Sequence, residues 1–256
     1  MKNIGDEFIN GTRYPNFSTV DMILRVPEPP RELPIPEGSE VIRLPNPKRI
    51  KVPDKSVRNV IEEWEPVGYL ARSTITQKEL SYLLWCSQGY RNMINEKIEV
   101  RSIPSSKFRN PLETYFVAGE VEDLPTGLYR FIPSTHSIVP IKVGSDLPFA
   151  LGTASMSFII PRAAVTFLWV GIPYRSVWAM GDRGYRCALI EAGHACQALI
   201  MSAGAMEFQV YPLDLFNDEK VAQLAELDQE NQWPLYIAAV GKIDREWGFG
   251  GGPPVY

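Results

Sequence analysis

The spacing of apolar and polar positions predicts a mixed set of helices and strands. Ala163–Val170 is a continuous apolar run rich in β-branched and aromatic residues, which suits a strand buried on both faces. Tyr115–Ala118 and Leu235–Val240 read as further strands. Gly127–Phe131 and Ile138–Ile141, separated by Pro133–His136, read as a hairpin. Helical spacing places Val57, Val60, Ile61 and Trp64 on one face of a helix beginning at Pro53-Asp54. It also groups Leu80, Leu83, Leu84 and Trp85 behind a Thr76-Gln77-Lys78-Glu79 capping box, with Gly89 as the stop. Asp218–Leu227 reads as a shorter helix.

The longest helical stretch runs from Cys187 to about Met206. It has no proline and few β-branched residues, and about twenty residues of helix span roughly 30 Å. Leu189, Ala192, Cys196, Leu199, Ile200 and Ala203 recur at helical spacing among small residues, which predicts a buried central helix. Glu191, His194 and Gln197 within it are either hydrogen-bonded core or partner-facing groups, or they line a site. Helices before, between and after strands give one α/β or α+β sheet domain over 53–247. Residues 1–52 form a leader whose start, 1–22, is polar and hard to assign. Its later part, 26–53, is dense in proline, cannot be helix, and is too apolar for a solvated linker. The expectation is an extended arm laid over a surface, that of a second subunit being one choice. The Gly/Pro-rich tail 248–256 has no apolar period.

Composition narrows the function classes. A net charge of −4 gives no basic footprint, so nucleic acid is not an expected partner. Three cysteines without metal spacing or a pairing framework suit a reducing compartment. Neither a signal peptide nor an uncharged membrane-length run is present, so a cytoplasmic location is expected. With two histidines, His136 and His194, and no GxSxG, Walker or GxGxxG motif, neither a hydrolytic triad nor a nucleotide loop can be built. Two polar loops remain. Arg72-Ser73 stands between two helical segments and can hold a phosphate, with backbone N–H groups of the next turn assisting; a salt bridge plus a helix cap is the plainer alternative. The loop 101–111 combines Arg101, Ser102, Pro104, Ser105, Ser106, Lys107, Arg109 and Asn110, which suits a planar ligand with polar edges or simply a solvated loop.

The order of these pieces resembles the nitroreductase superfamily, and within it the SagB-type azoline dehydrogenases. The resemblance rests on Arg72-Ser73 followed by Glu79–Trp85, and on Arg101 followed by Pro104-Ser105 and Pro111–Tyr115. It continues through Gly127–Phe131, Gly181–Arg186, Glu191-Ala192-Gly193-His194, Gln197 and Pro234–Gly241, with Phe8–Thr12 and the proline arm resembling that branch's leader. It implies an α+β fold with a central mixed sheet and a homodimer that exchanges helices across its interface. It further implies one FMN per site shuttling hydride from a donor such as NAD(P)H to a small-molecule or modified-peptide substrate. By the resemblance, Arg72 and Ser73 lie at the phosphate and ribityl chain, and Arg101, Pro104, Ser105 and Ser106 at the flavin's polar edge. The chain departs from the family pattern at Ala71, Ile75, Lys107 and Glu207, and Ala179-Met180 follow Trp178 where the azoline enzymes have a catalytic Lys-Tyr pair. A non-catalytic scaffold or partner subunit of the same fold is the alternative reading.

Overall fold

A computed structural model describes residues 3–14, 19–65, 69–94 and 98–243; the tail expectation for 248–256 lies outside them. The main sheet follows the order β1-β7-β6-β5-β8-β10-β2, with β9 pairing β10 off this path. Its strands are β1 (Ile42–Arg43), β2 (Leu70–Ala71), β5 (Leu112–Ala118), β6 (Gly127–Ile132), β7 (Ser137–Val143), β8 (Val165–Gly171), β9 (Gln209–Leu213) and β10 (Trp233–Ile243). The ladders in this sheet are antiparallel, and a parallel contact comes from the bridge Ile75↔Val121. A separate two-stranded sheet pairs β3 (Tyr90–Ile94) with β4 (Ile98–Arg101).

Every residue of β8 is buried, as the apolar run requires, and alternate side chains serve two cores. Phe167 and Trp169 pack with Phe116 and Val240 under α3 (Gln77–Gln88) and α6 (Arg183–Ala205). Leu168 and Val170 pack with Tyr115, Val117 and Ile237 under α4 (Leu147–Ala154) and α7 (Asp218–Leu224). Each such side chain stabilises by about 1.5–3 kcal/mol when fully buried. The result is an α+β sandwich in which one sheet separates two helical layers.

The capping box forms as expected: the Thr76 hydroxyl accepts from Glu79 N, and the Glu79 carboxylate accepts from Thr76 N at 2.7 Å. Gly89 ends α3 with extended backbone and not with positive φ; a Cβ there would lie 2.4 Å from the Trp85 carbonyl oxygen. Three helical expectations change. The first helix is only α2 (Val57–Glu62), with Val60 buried and Val57 and Ile61 exposed, because Ser56 caps it and the chain leaves it before Trp64. The central helix starts four residues early, at Arg183. Gly181 (φ 56°) turns the chain out of α5 (Pro173–Met180), and Gly184 lets the α6 backbone close on Val177. Burial of α6 is one-sided: Leu189, Ile190, Gly193, His194 and Gln197 face outward, so His194 and Gln197 are not core groups in the single chain. The polar start that resisted assignment contains α1 (Ile4–Gly11), capped by Asn3.

The proline arm lies over its own chain. Its carbonyls and carboxylates meet buried arginines of the body: Arg175 Nε donates to Pro30 O (2.8 Å), Arg101 Nη2 to Arg31 O (3.2 Å) and Arg130 Nη2 to Pro34 O (2.7 Å). Glu28 pairs with Arg109 at 2.5 Å. Proline-rich chain has few internal hydrogen bonds, so its exposed carbonyls are natural acceptors for side chains. Farther along, Ser81 Oγ donates to Pro45 O, and His136 Nε2 lies 2.7 Å from the same hydroxyl.

Candidate functional site

The predicted site residues fall into two groups at opposite ends of the strands. Ser73 and Arg72 follow β2, which pairs with the end of β10 in the register Ala71↔Lys242. Ser73 Oγ accepts from Lys242 N at 3.4 Å. Arg72 and Lys242 are both exposed, and among the described residues neither side chain is in an ion pair. The Lys242 ammonium lies 5.9 Å from the centre of the Phe208 ring. Two cations and a hydroxyl therefore lie near one edge, beside a cleft of about 660 Å³ whose lining sets Lys55 and Lys242 against Glu62, Glu63, Glu65 and Glu207, with Lys55 already paired to Glu63. The start of α3 adds little to anion binding. Its capping box consumes two first-turn donors and sets the Glu79 carboxylate there. Ile75, one of the departures from the family pattern, is fully buried core.

Arg101, Pro104, Ser105 and Ser106 lie at the other end. Arg101 donates to the carbonyl of Leu112, which opens β5 opposite Gly171, whereas Lys242 follows Val240, opposite Val165. Six steps along β8 make this separation about 20 Å. Pro104 and Ser106 are exposed and Ser105 partly so, with Ser105 Oγ accepting from Asn110 N at 2.8 Å. Lys107, Phe108 and Asn110 hold φ of 50°, 56° and 47°, so Lys107 occupies a left-handed position that glycine takes without strain.

Arg101 is committed within the chain. It pairs with Glu99 at 2.7 Å and makes further hydrogen bonds to Gln88 Oε1, Leu112 O and Arg31 O, four in all. Arg175, fully buried on α5, likewise pairs with Glu113 and donates to Asn110 O and Pro30 O. Arg109 lies 4.8 Å over the Trp178 ring and pairs with Glu28. Glu191, on α6, is 2 % exposed, and neither of its oxygens has a hydrogen-bond partner. Burial pushes its pKa up to about 7, against the pull of the Ser105 hydroxyl and of Arg101 and Arg175. Ala179 and Met180 are buried with Trp178 and Cys187, and the arm lies against them through the hydrogen bond from Met22 N to Trp178 O.

Sequence reasoning missed Lys242 and Arg175. Lys242 was signalled only by a cation closing an apolar strand, and Arg175 sits in a short helix opened by Pro173 that carries no recognised motif.

The model of the Nitroreductase family matches residues 68–242. The chain belongs to this family. The matched stretch reaches from just before Arg72 to Lys242, and the arm precedes it. A protein named as a nitroreductase in Methanocaldococcus jannaschii is 27% identical over 204 residues, 78% of this chain and 96% of that protein. Among solved structures, a nitroreductase from Anabaena variabilis superposes with TM-score 0.71 at 19% identity over 98% of this chain, which spans 49% of that one. The E. coli microcin synthetase McbBCD complex with truncated pro-MccB17 bound gives TM-score 0.61 at 18% identity, over 81% of this chain and 79% of that chain. A nitroreductase in complex with FMN from Exiguobacterium sibiricum gives 0.56 at 10% identity, over 80% of this chain and 94% of that one. These structures share the nitroreductase fold. No helix among the described residues of this nitroreductase-family chain is long and apolar enough to cross a membrane.

Proposed function

We propose that the protein is an FMN-dependent oxidoreductase of nitroreductase type, related to the SagB-like branch and acting as a homodimer. The observation that carries this is that Arg72 and Lys242, both exposed and in no ion pair among the described residues, lie beside Ser73, whose hydroxyl accepts from Lys242 N at one edge of the sheet. FMN joins a dianionic phosphate to a flat ring with polar edges, so its site needs a cationic end and a separate hydrogen-bonding end. The chain offers both. Arg72, Ser73 and Lys242 would take the phosphate. The Pro104-Ser105-Ser106 loop, backed by the unpartnered Glu191, would meet the ring edge. Arg101 would hold that loop and the arm and not touch the ligand, since its donors are engaged within the chain. Once bound, the cofactor supplies hydride transfer from a reduced nicotinamide to an acceptor, and the protein supplies orientation and electrostatics.

The microcin synthetase likeness supports a substrate of modified-peptide type only as far as the fold goes. Ala179 and Met180 can neither take nor give a proton, so azoline oxidation through a Lys-Tyr pair is not part of this proposal. For the dimer, Leu189 and Ile190 are about half exposed on α6, next to an apolar cavity of about 310 Å³ lined by Phe8, Tyr185, Leu189 and Trp233. A second copy covering this face would remove apolar surface that a monomer rarely leaves open. The three free thiols fit a cytoplasmic setting.

A second reading, a non-catalytic partner subunit, is favoured by the sealing of Ala179-Met180 beneath the arm. One spectrum separates the two. Purified protein should show flavin absorbance and release FMN on denaturation. Colourless protein that takes up no added FMN would establish the partner reading.

A further inference from the structure

The proline arm is held in two unequal halves. Residues 30–34 are locked, because their main chain serves side chains of the body. Arg175, Arg101 and Arg130 donate to Pro30 O, Arg31 O and Pro34 O, and the Glu113 carboxylate accepts from Leu33 N at 2.8 Å. All three guanidiniums are buried, so lifting this half would strip acceptors from buried cations. Residues 22–28 are exposed throughout and run between buried Val20 and the locked half. This strap is held to the body by Met22 N donating to Trp178 O, by Trp178 Nε1 donating to Val26 O at 2.9 Å, and by the Glu28–Arg109 pair.

Arg109 is only half used by that pair. Its residue is 9 % exposed, and its guanidinium lies 4.8 Å over the Trp178 ring. Nη2 meets Glu28 Oε1, an oxygen that Arg31 Nε also reaches at 3.3 Å. The adjacent Nε–H of Arg109 is buried and donates to nothing. A carboxylate can take Nε and Nη2 together in two parallel bonds, which is a stronger contact than the single one. Glu28 stands two residues before Pro30, whose carbonyl Arg175 fixes, with the stiff Pro29 between them. The loop side is fixed as well, since Asn110 N donates to Ser105 Oγ and Asn110 O accepts from Arg175. Neither side is free to close the second bond.

We propose that Trp178 and Arg109 form a docking site for an acidic residue of an extended peptide, and that the 22–28 strap fills this site as a built-in competitor. Trp178 Nε1 takes a main-chain carbonyl, and Arg109 takes the carboxylate two residues later, which is the spacing of Val26 and Glu28. An incoming peptide is not tied at Pro30, so its carboxylate engages Nε and Nη2 together. It displaces the strap and leaves the locked half in place. This goes beyond the flavin reading and needs no bound cofactor.

Calorimetry on the full chain without added flavin tests this, with the blocked peptide acetyl-Val-Pro-Glu-Pro-amide, a copy of residues 26–29, as the probe. Glu28→Gln protein should bind it about fivefold more tightly than the wild type, the factor by which a part-exposed ion pair competes. The matching peptide with glutamine in place of glutamate should bind neither protein. Arg109→Lys keeps the charge and removes the fork, so adding it to Glu28→Gln should weaken binding about tenfold. Trypsin reads the strap itself: the glutamate peptide should speed cleavage after exposed Arg25 in the wild type. Equal affinity of the wild type and Glu28→Gln overturns the competitor. No binding to Glu28→Gln, or binding of the glutamine peptide as tight as that of the glutamate one, overturns the site. This comparison of peptides decides the matter even where the lysine variant does not fold. Binding that leaves cleavage after Arg25 unchanged overturns the displacement.

Discussion

Arg101→Ala distinguishes a structural arginine from a ligand-binding one. The substitution deletes a guanidinium that is 5 % exposed and leaves the Glu99 carboxylate, 6 % exposed, without its cation. It also strips donors from Gln88 Oε1, Leu112 O and Arg31 O. Removing one partner of a buried pair costs about 3–5 kcal/mol. For a chain of this size each kcal/mol lowers Tm by about 2–4 °C, so the variant should melt roughly 6–20 °C below the wild type. Urea unfolding should show the same loss as a lower midpoint with an unchanged slope. Because Arg101 holds the Arg31 carbonyl, the arm should also become more susceptible to limited proteolysis. Arg72→Ala is the control. Its side chain is exposed and has no ion pair among the described residues, so the midpoint should stay put while FMN binding weakens by about 1.5–3 kcal/mol. An Arg101→Ala protein that melts like the wild type and loses only FMN would refute the reasoning and make Arg101 a ligand contact.

Other consequences are directly measurable. Gly184→Ala should destabilise by about 1–3 kcal/mol in chemical unfolding, since the new Cβ would lie 2.4 Å from Val177 N, whereas Gly193→Ala meets nothing and should leave the fold intact. His136 has its pKa lowered by burial, with the Pro45 carbonyl pulling upward. Its folded pKa is thus below its unfolded one, and its contribution to stability, present above pH ~6.5, is lost as pH falls below that value; His136→Gln should flatten this part of the stability profile. Ile190→Glu places a charge on the open face of α6 and, if the proposed homodimer uses this face, should give monomers in light scattering without lowering helicity by circular dichroism.

Local physics made much of this chain legible. The β8 run needs no context to be a doubly buried strand, because both of its faces are apolar. The Thr76–Glu79 box writes the start of α3 in four residues, and the turn at Pro133–His136 separates β6 from β7 as expected. The ordered motifs from Arg72 to Gly241 resemble the nitroreductase family, whose model matches residues 68–242. What the sequence could not decide was which partner each polar group would find. Arg101 and Arg72 look alike in a string of letters. One is drawn under the arm by Glu99 and three acceptors, and the other is left in the open next to Ala71, which pairs with Lys242, 171 residues away from it in the chain. The same applies to α6, whose composition suggested burial all round. Small residues permit close packing but do not compel it, and the sheet covers only one side of the helix. Hydrophobic period is set by near neighbours and so survives in the sequence. The pairing of charges is set by long-range closure of the sheet and by the path of the arm, and only the tertiary structure fixes either.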